Sequence, residues 1–244
     1  MTRAAYEAAL AWSAQTGIPL GLECDVHFSA DDQLICLHDL SVDRTAGVPG
    51  EAIDLTLAQL KQLNVGAAWR RDTTAAEQEL LSLEELLIMV RDARAAGTDV
   101  TLVIETKHPN PRGGDVEHRV ATVLSSYGWD RAGSPVRVIS FSAEAMERLR
   151  VRLPAVERSF LVEGDLGPWR DGDLPDGVQI VGVDIRLLEQ DPGFVARAQA
   201  RGHQVDAWTV HEPAEITLAQ SLGVATFTTD WPDRVAQALA LSPG

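Results

Sequence analysis

Strand-like and helix-like segments take turns along most of this chain, and that alternation restricts its fold more than any other feature. Short apolar runs such as 101–107 (TLVIETK) and 136–141 (VRVISF) alternate with helical patterns such as 115–126. This alternation is typical of a parallel sheet with helices, either open or closed into a barrel. The 244 residues suit one undivided barrel, since barrels of this class often run to about 250 residues. We therefore expect a single α/β domain over residues 1–244.

The N-terminal part also alternates between helix-like and strand-like segments. Helical spacing of apolar residues predicts a helix over 2–16, with Thr2 as its cap. Two apolar runs, 19–28 and 34–38, predict strands joined by a turn-rich connector. Residues 70–79 are polar, and we expect a loop there.

Charge and hydropathy exclude several classes of function. The formal net charge of −15 argues against nucleic acid as a partner, because phosphate backbones require basic patches. The acidity fits a site for a divalent cation, although many proteins are this acidic for solubility alone. No apolar run reaches about 18 residues and no signal-peptide pattern opens the chain, so we expect no transmembrane helix and a cytoplasmic protein.

The sequence contains two cysteines, Cys24 and Cys36. Strand alternation puts Cys24 on the face opposite Glu23 and Asp25, and puts Cys36 on the face of His38. We therefore expect reduced thiols rather than a disulfide, as is usual in the cytosol.

Carboxylates recur at the ends of strands. Glu23 and Asp25 lie two apart on a predicted apolar strand, so their side chains share a face. Two ionised carboxylates there would repel and lose hydration, which a bound cation or basic partners would relieve. The alternative is a solvated strand end, or a pair bridged by arginines.

Two further strands end in the same manner. Glu105 and Lys107 share a face at the end of 101–107, and His38 ends the strand at 34–38. Taken singly, these residues also fit a local Glu-Lys pair and a structural histidine. Together they match barrel enzymes, which place their chemistry at the carboxyl ends of strands. A ligand set of carboxylates alone favours Mg²⁺ or Ca²⁺ over zinc.

Ordered motifs make this chain resemble the glycerophosphodiester phosphodiesterase family. The segment LECDVHFSADDQLICLHDLSVDRTAG, residues 22–47, is similar to the family's E-x-D-V, turn, H-D and Arg-Thr pattern. SLEELL, IETKHP, ISFS, AWTV and TTDWP follow in the family's order, so the likeness covers essentially the whole chain. The resemblance implies a (β/α)8 TIM barrel of the phosphodiesterase type. It also implies hydrolysis of small glycerophosphodiesters to glycerol 3-phosphate and an alcohol.

The resemblance assigns roles to individual residues. Glu23, Asp25 and Glu105 would hold the metal, His38 would be one of two acid/base histidines, and Lys107 would contact the phosphate. In the same way Phe141 and Trp208 would line the substrate pocket, although buried aromatic packing explains them equally well.

Two neighbouring residues remain outside this set. His27 is either an extra ligand or a solvated surface histidine beyond the strand, and we expect the latter. Asp39 is expected to bond to the backbone or to Arg44.

Part of the family pattern has no counterpart here. The family starts with a strand ending in His-Arg-Gly and a loop with Pro-Glu-Asn-Thr, whereas this chain starts at Met1 on the first helix. We therefore expect a barrel lacking its first strand, with lower stability and strongly impaired activity. A mis-assigned or trimmed start, a relative that binds metal and phosphoester without turnover, and weak activity through His38 alone all explain this. A phospholipase-type barrel acting on lipids is a further alternative.

Overall fold

The structure is a computed structural model that describes residues 1–68 and 72–239. Within it the chain forms two compact units, Met1–Arg137 and Val138–Pro243. None of the helices in the described ranges is long and apolar enough to span a bilayer. That residues 1–244 form one domain remains a prediction.

The first unit is built around three strands that pair in the order β2-β1-β3. These are β1 (Leu20–Phe28), β2 (Leu34–Cys36) and β3 (Val100–Thr106). Strand β1 runs antiparallel to β2 and parallel to β3. The helices of this unit are α1 (Arg3–Thr16), α2 (Asp43–Ala46), α3 (Leu57–Leu60), α4 (Ala75–Gln78), α5 (Leu83–Ala95) and α6 (Asp115–Ser126), with a 3₁₀ turn at Ala52–Asp54.

The register between β1 and β3 decides which side chains meet. It pairs Asp25 with Glu105, and side chains at paired positions of parallel strands point to the same face. Glu23 lies one alternation earlier on that face. The other face of β1 is apolar core, where Cys24 and Val26 are fully buried. The strand is thus polar towards one side and apolar towards the other.

Helix α1 braces β1 at the first of these carboxylates. Its start is capped by the Thr2 side chain, which accepts a hydrogen bond from the Ala5 N–H, and it ends at Gly17 in the left-handed conformation. Tyr6 is buried, and its hydroxyl donates to the main-chain oxygen of Glu23 at 3.0 Å. The helix predicted over 2–16 is confirmed with a one-residue shift at its start.

A separate hydrophobic cluster supports the segment between β2 and α5. Ile35, Leu37, Leu60 and Leu80 are buried together in it. Because Leu37 belongs to this cluster, the chain is anchored immediately before His38.

One sequence prediction fails in this segment. Residues 72–79 were predicted as loop, but α4 forms there. Thr74 and Glu77 make a capping box, in which each side chain accepts from the backbone N–H of the other. Residues 70 and 71 of the predicted loop lie outside the described residues.

The second unit continues the alternation of strand and helix. Its strands pair in the order β4-β5-β6-β7-β8, with β5 to β8 mutually parallel. Their bounds are β4 (Val136–Ser140, whose first two residues belong to the first unit), β5 (Glu157–Val162), β6 (Ile180–Asp184), β7 (Gln204–Trp208) and β8 (Thr226–Phe227). The helices are α7 (Ala143–Arg152), α8 (Ile185–Gln190), α9 (Gly193–Ala200), α10 (Pro213–Leu222) and α11 (Pro232–Ala238), with a 3₁₀ turn at Gly167–Trp169.

Two glycines of the second unit allow the cost of an unfavourable backbone conformation to be measured apart from the cost of a steric clash. Gly172 and Gly202 both have φ +85, but a Cβ on Gly172 would lie 2.7 Å from the Ala198 nitrogen, whereas nothing lies within 4 Å of one on Gly202. Gly202→Ala should therefore cost only the conformational strain, roughly 1–2 kcal/mol of unfolding free energy. Gly172→Ala should lower the unfolding free energy by about 1–3 kcal/mol more than Gly202→Ala does, because the backbone at Ala198 must move to make room for the Cβ. Urea unfolding of both variants checks this, and equal losses would contradict it.

Candidate active site

Three carboxylates from two strands converge in the first unit. Glu23 and Asp25 come from β1 and Glu105 from β3, and one oxygen of each lies within 4.8 Å of the other two. Asp25 and Glu105 are 4% and 6% exposed, and Glu23 is half-buried. Strand alternation puts Glu23 beside Asp25, and the parallel register adds Glu105.

A lysine contacts two of these acids. The Nζ of Lys107 lies 2.9 Å from Asp25 Oδ1 and 3.0 Å from Glu105 Oε1. Lys107 follows directly after β3, on the same face as Glu105 by alternation. The cluster therefore contains three acidic groups and one ammonium group.

Burial and mutual repulsion raise the pKa values of the acids. Burial, and then the charge of Asp25, raises the pKa of Glu105 to about 8 against the pull of Lys107. Burial also raises the pKa of Glu23 well above its usual range, with Asp25 and Glu105 adding repulsion. Burial alone would lower the pKa of Lys107, but Asp25 and Glu105 outweigh it and raise the pKa. If all three acids ionise, the cluster carries more negative charge than Lys107 neutralises.

The cluster fits a divalent cation in both charge and chemistry. Its donors are carboxylate oxygens, which Mg²⁺ and Ca²⁺ prefer, whereas structural zinc favours nitrogen and sulfur. A bound dication would offset the surplus charge that raises the pKa values of Glu23 and Glu105. The structure thus brings together the three residues expected as ligands, and their role in holding metal stays a prediction.

His38 lies outside the sheet, two residues beyond the end of β2. Its side chain is 60% exposed, and its Nδ1 lies 2.7 Å from Asp39 Oδ1. Arg44, bonded to Asp39 at 2.6 Å, and His38 lower the pKa of Asp39 to about 2. The expected contact between Asp39 and Arg44 is confirmed. An ionised Asp39 orients the imidazole through Nδ1, so Nε2 is the nitrogen that remains for a substrate.

His27 is buried, so the expectation of a solvated surface histidine is wrong. Strand β1 stays extended through Phe28, which keeps the His27 ring on the face of Asp25 at 3% exposure. Its Nε2 lies 3.1 Å from the main-chain oxygen of His38, and burial lowers its pKa. His27 therefore connects the strand that carries Asp25 to the segment that carries His38.

The two aromatic residues expected at the substrate pocket lie in the second unit. Phe141 follows β4 and Trp208 ends β7, and their rings meet edge to face with centroids 5.5 Å apart. This contact agrees with aromatic packing. Their role in substrate binding stays a prediction.

Sequence reasoning missed the pairing of His108, the residue after Lys107, with the buried Glu117. His108 Nε2 lies 2.6 Å from Glu117 Oε1, and Glu117 is 0% exposed. The pair ties the loop after β3 to α6 and so fixes the direction in which Lys107 leaves the strand. No spacing rule marks two residues nine apart in different elements, so the sequence carried no signal for it.

The two cysteines share a face, contrary to expectation. The antiparallel register pairs Cys36 with Val26, which puts Cys36 on the side of Cys24. Both thiols are free and fully buried. A hydrogen bond with Cys36, followed by burial, raises the pKa of the Cys24 thiol. The earlier inference failed because β2 ends at Cys36, so the alternation could not be extended to His38.

Comparison with known proteins identifies the family. The model of the glycerophosphoryl diester phosphodiesterase family matches residues 2–234. The chain belongs to this family. It is 34% identical over 240 residues to "Probable glycerophosphodiester phosphodiesterase 1" of Mycobacterium tuberculosis, covering 96% of this chain and 85% of that protein. The family is one of phosphoric diester hydrolases.

Solved structures of the family share the fold. The "Putative glycerophosphoryl diester phosphodiesterase" of Silicibacter pomeroyi DSS-3 aligns with a TM-score of 0.79 at 22% identity, covering 98% of this chain and 88% of that one. An Oleispira antarctica phosphodiesterase in complex with the product sn-glycerol-3-phosphate aligns with a TM-score of 0.72 at 20% identity, covering 96% and 90%. The predicted fold class, an α/β TIM barrel of the phosphodiesterase type, is confirmed. In the described residues a helix, α1, precedes the first strand.

The raised pKa of Glu105 predicts a pH-dependent stability of the metal-free protein. An acid whose pKa is higher in the folded chain stabilises the fold below its unfolded pKa, and that contribution is lost as pH rises through the folded value. With chelator present, wild type should lose melting temperature relative to Glu105→Gln as pH rises from about 5 to about 9, because the amide cannot ionise. Calorimetric scans measure this difference.

A control variant and added Mg²⁺ complete the test of this dependence of stability on pH. Glu189→Gln removes an exposed carboxylate and should follow wild type at every pH. Saturating Mg²⁺ should shrink the difference between wild type and Glu105→Gln at high pH. A difference that is constant across the pH range would show that Glu105 is not held as the structure indicates.

Proposed function

We propose that this protein hydrolyses glycerophosphodiesters to glycerol 3-phosphate and an alcohol, with Glu23, Asp25 and Glu105 holding Mg²⁺ or Ca²⁺. The observation that carries the proposal is the convergence of these three carboxylates within 4.8 Å, with Lys107 at their rim. The names of the family relatives support the substrate class, and the Oleispira antarctica complex with sn-glycerol-3-phosphate supports the product.

The residues of the site suit the charge of the reaction. A phosphodiester carries one negative charge, and more develops on its oxygens as the bonds to phosphorus rearrange. A bound dication would act as a Lewis acid on those oxygens. Lys107 supplies a donor already held near the site by Asp25 and Glu105, so little reorganisation is needed to stabilise the developing charge.

His38 is proposed to donate a proton to the leaving alcohol. In hydrolysis the hydroxyl of water becomes bonded to phosphorus and the other proton of that water is released to solvent, while the bond from phosphorus to the alcohol oxygen breaks and that oxygen takes a proton from His38, which solvent later reprotonates. An exposed imidazole oriented by Asp39 can deliver the proton near neutral pH through Nε2. Phe141 and Trp208 are proposed to pack against the carbon skeleton of the substrate.

The surroundings of the reaction are also proposed. Two free, buried thiols support a reducing, cytoplasmic compartment. The net charge of −15 supports a small-molecule substrate rather than nucleic acid.

Cation dependence and Lys107 are tested by the release of glycerol 3-phosphate from glycerophosphocholine. Activity should disappear with chelator, return with Mg²⁺ or Ca²⁺, and be lost in Glu23→Gln. Lys107→Met should lose on the order of 10²-fold in kcat/KM, as for other removed charge-stabilising donors. The only other lysine, Lys61, bonds to Glu79 at 3.4 Å in the first unit and is the matched control.

The outcomes separate the proposed activity from its alternatives. Lys61→Met should keep wild-type kcat/KM. Activity that is indifferent to both chelator and Glu23→Gln would refute the metal site. Calorimetric binding of cation and glycerophosphocholine without release of glycerol 3-phosphate would identify a non-catalytic binder. Hydrolysis of phospholipid vesicles alone would identify a lipid-directed enzyme.

The role of His38 has its own test. His38→Asn should lower kcat by about 10²- to 10⁴-fold, because the leaving alcohol loses its proton donor. The loss should be smaller for a nitrophenyl ester, whose leaving group needs no proton. His203→Asn, which changes a half-buried histidine of the second unit, is the control. Equal losses on both esters would show that His38 does not act as the acid.

A further inference from the structure

A small cleft in the first unit lies beside the segments that carry the proposed chemistry. It has room for about one water-sized group, and its walls include His27 of β1, Leu40 and Ile53 of the segment after β2, and Asn110 of the loop after β3. Three of these wall residues come soon after residues of the candidate site in the chain. His27 follows Asp25 by two residues, Leu40 follows His38 by two, and Asn110 follows Lys107 by three. The cleft therefore lies next to the candidate site and is not used by the mechanism above.

His27, which lines this cleft, carries a hydrogen-bond acceptor without a partner in the part of the chain that the structure describes. Its Nε2 faces the main-chain oxygen of His38 at 3.1 Å, and a carbonyl oxygen only accepts, so the proton is on Nε2. The ring is 3% exposed and contacts no carboxylate among the described residues, which keeps it neutral. Its Nδ1 consequently carries a lone pair, and that buried nitrogen has no hydrogen-bond partner in the described protein.

Asn110, which lines the same cleft, carries a donor without a partner within residues 1–68 and 72–239. Its Oδ1 accepts a hydrogen bond from the Arg112 N–H at 3.0 Å, which fixes the orientation of the amide. The Nδ2 therefore points the other way. It too is buried and has no partner among the described residues.

One acceptor and one donor in a single cleft match the two hydrogen-bonding roles of a hydroxyl group. A buried polar atom left without a partner costs about 1–3 kcal/mol, so binding of a group that satisfies both atoms would be favoured. The rest of the wall is apolar and includes Leu40, Ala52 and Ile53. This combination suits a hydroxyl on a short carbon chain better than an ammonium or a carboxylate.

We propose that this cleft binds a hydroxyl group of the leaving alcohol, so that the enzyme selects glycerophosphodiesters whose alcohol carries a second hydroxyl. The inference rests on the proposed function, which places the diester at the carboxylate cluster. His27 lies two residues beyond Asp25 on one face of β1, a separation of about 7 Å along the strand. A phosphodiester bound at the cluster spans that distance with its alcohol. The structure thus assigns His27 Nδ1 and Asn110 Nδ2 to substrate selection.

The test compares two diesters, glycerophosphoglycerol and glycerophosphopropanol. They differ only in the two additional hydroxyl groups of the leaving glycerol, which propanol lacks. Wild type should favour glycerophosphoglycerol by at least about tenfold in kcat/KM, which corresponds to about 1.4 kcal/mol. Asn110→Leu should bring the ratio close to one by lowering the rate on glycerophosphoglycerol alone. His27→Phe should do the same to the ratio, and it should also lower kcat on both diesters because Nε2 no longer holds the His38 segment.

Asn64→Leu is the matched control. Asn64 makes the same turn as Asn110, with Oδ1 accepting from the N–H of Gly66 at 3.1 Å, but its Nδ2 already bonds to Thr73. It should keep the wild-type ratio. The double variant of His27 and Asn110 should have the ratio of either single variant, because both atoms hold one hydroxyl.

The proposal fails if the wild-type ratio is near one, or if both variants keep a high ratio. Either result would mean that the cleft holds only a structural water. If neither diester is hydrolysed, the proposed function fails separately. The subsite is then tested by the calorimetric Kd values of wild type for the two diesters in the presence of Ca²⁺. Tighter binding of glycerophosphoglycerol by at least about tenfold would support the subsite, and equal Kd values would overturn it.

Discussion

The pairing of β1 with β3 is the constraint on which the candidate site depends. A parallel register that sets Asp25 opposite Glu105 forces two buried carboxylates together, and alternation adds Glu23. A shift of one residue would turn Glu105 to the other face and dissolve the cluster. Tyr6 and the apolar face of β1 hold that register from the opposite side. The fold therefore stabilises the position of groups that would repel one another if left alone.

The two histidines near the cluster differ in exposure and in the contacts that they make. His27 is buried and uses one nitrogen to hold the backbone of His38, whereas His38 is exposed and is oriented through its side chain by Asp39. A group that must exchange protons with a substrate needs access, and a group that fixes geometry needs burial. The pair His108–Glu117 plays the corresponding fixed role directly after Lys107 in the chain. Support for the charged rim thus comes from buried polar pairs rather than from the acids themselves.

The sequence predicted what depends on local periodicity and missed what depends on pairing between segments. Alternation within a strand was enough to put Glu23 with Asp25, and Glu105 with Lys107. It failed for Cys36, because the face of a residue in β2 depends on the antiparallel register. It failed for His27, because the length of β1 beyond the core was not visible. Helix α4 was missed although its capping box, Thr74 with Glu77, stood in the sequence. The pairing of His108 with Glu117 has no sequence signal at all.

The charge of the cluster explains why a bound cation would help the anionic substrate to bind as well as help it to react. With all three carboxylates ionised, the cluster and Lys107 would carry a net charge of −2, which would repel an anionic diester at contact distance where salt screens little. Near neutral pH the metal-free cluster avoids that charge by binding protons, because burial and repulsion raise the pKa of Glu105 to about 8 and the pKa of Glu23 well above its usual range. A bound dication would instead offset the charge of the ionised acids, and the remaining hydrogen-bonding capacity of Lys107 would be available to the phosphate. The protein as a whole is also acidic, so a neutralised cluster, together with uncharged contacts such as those proposed for His27 and Asn110, would favour binding of an anionic substrate.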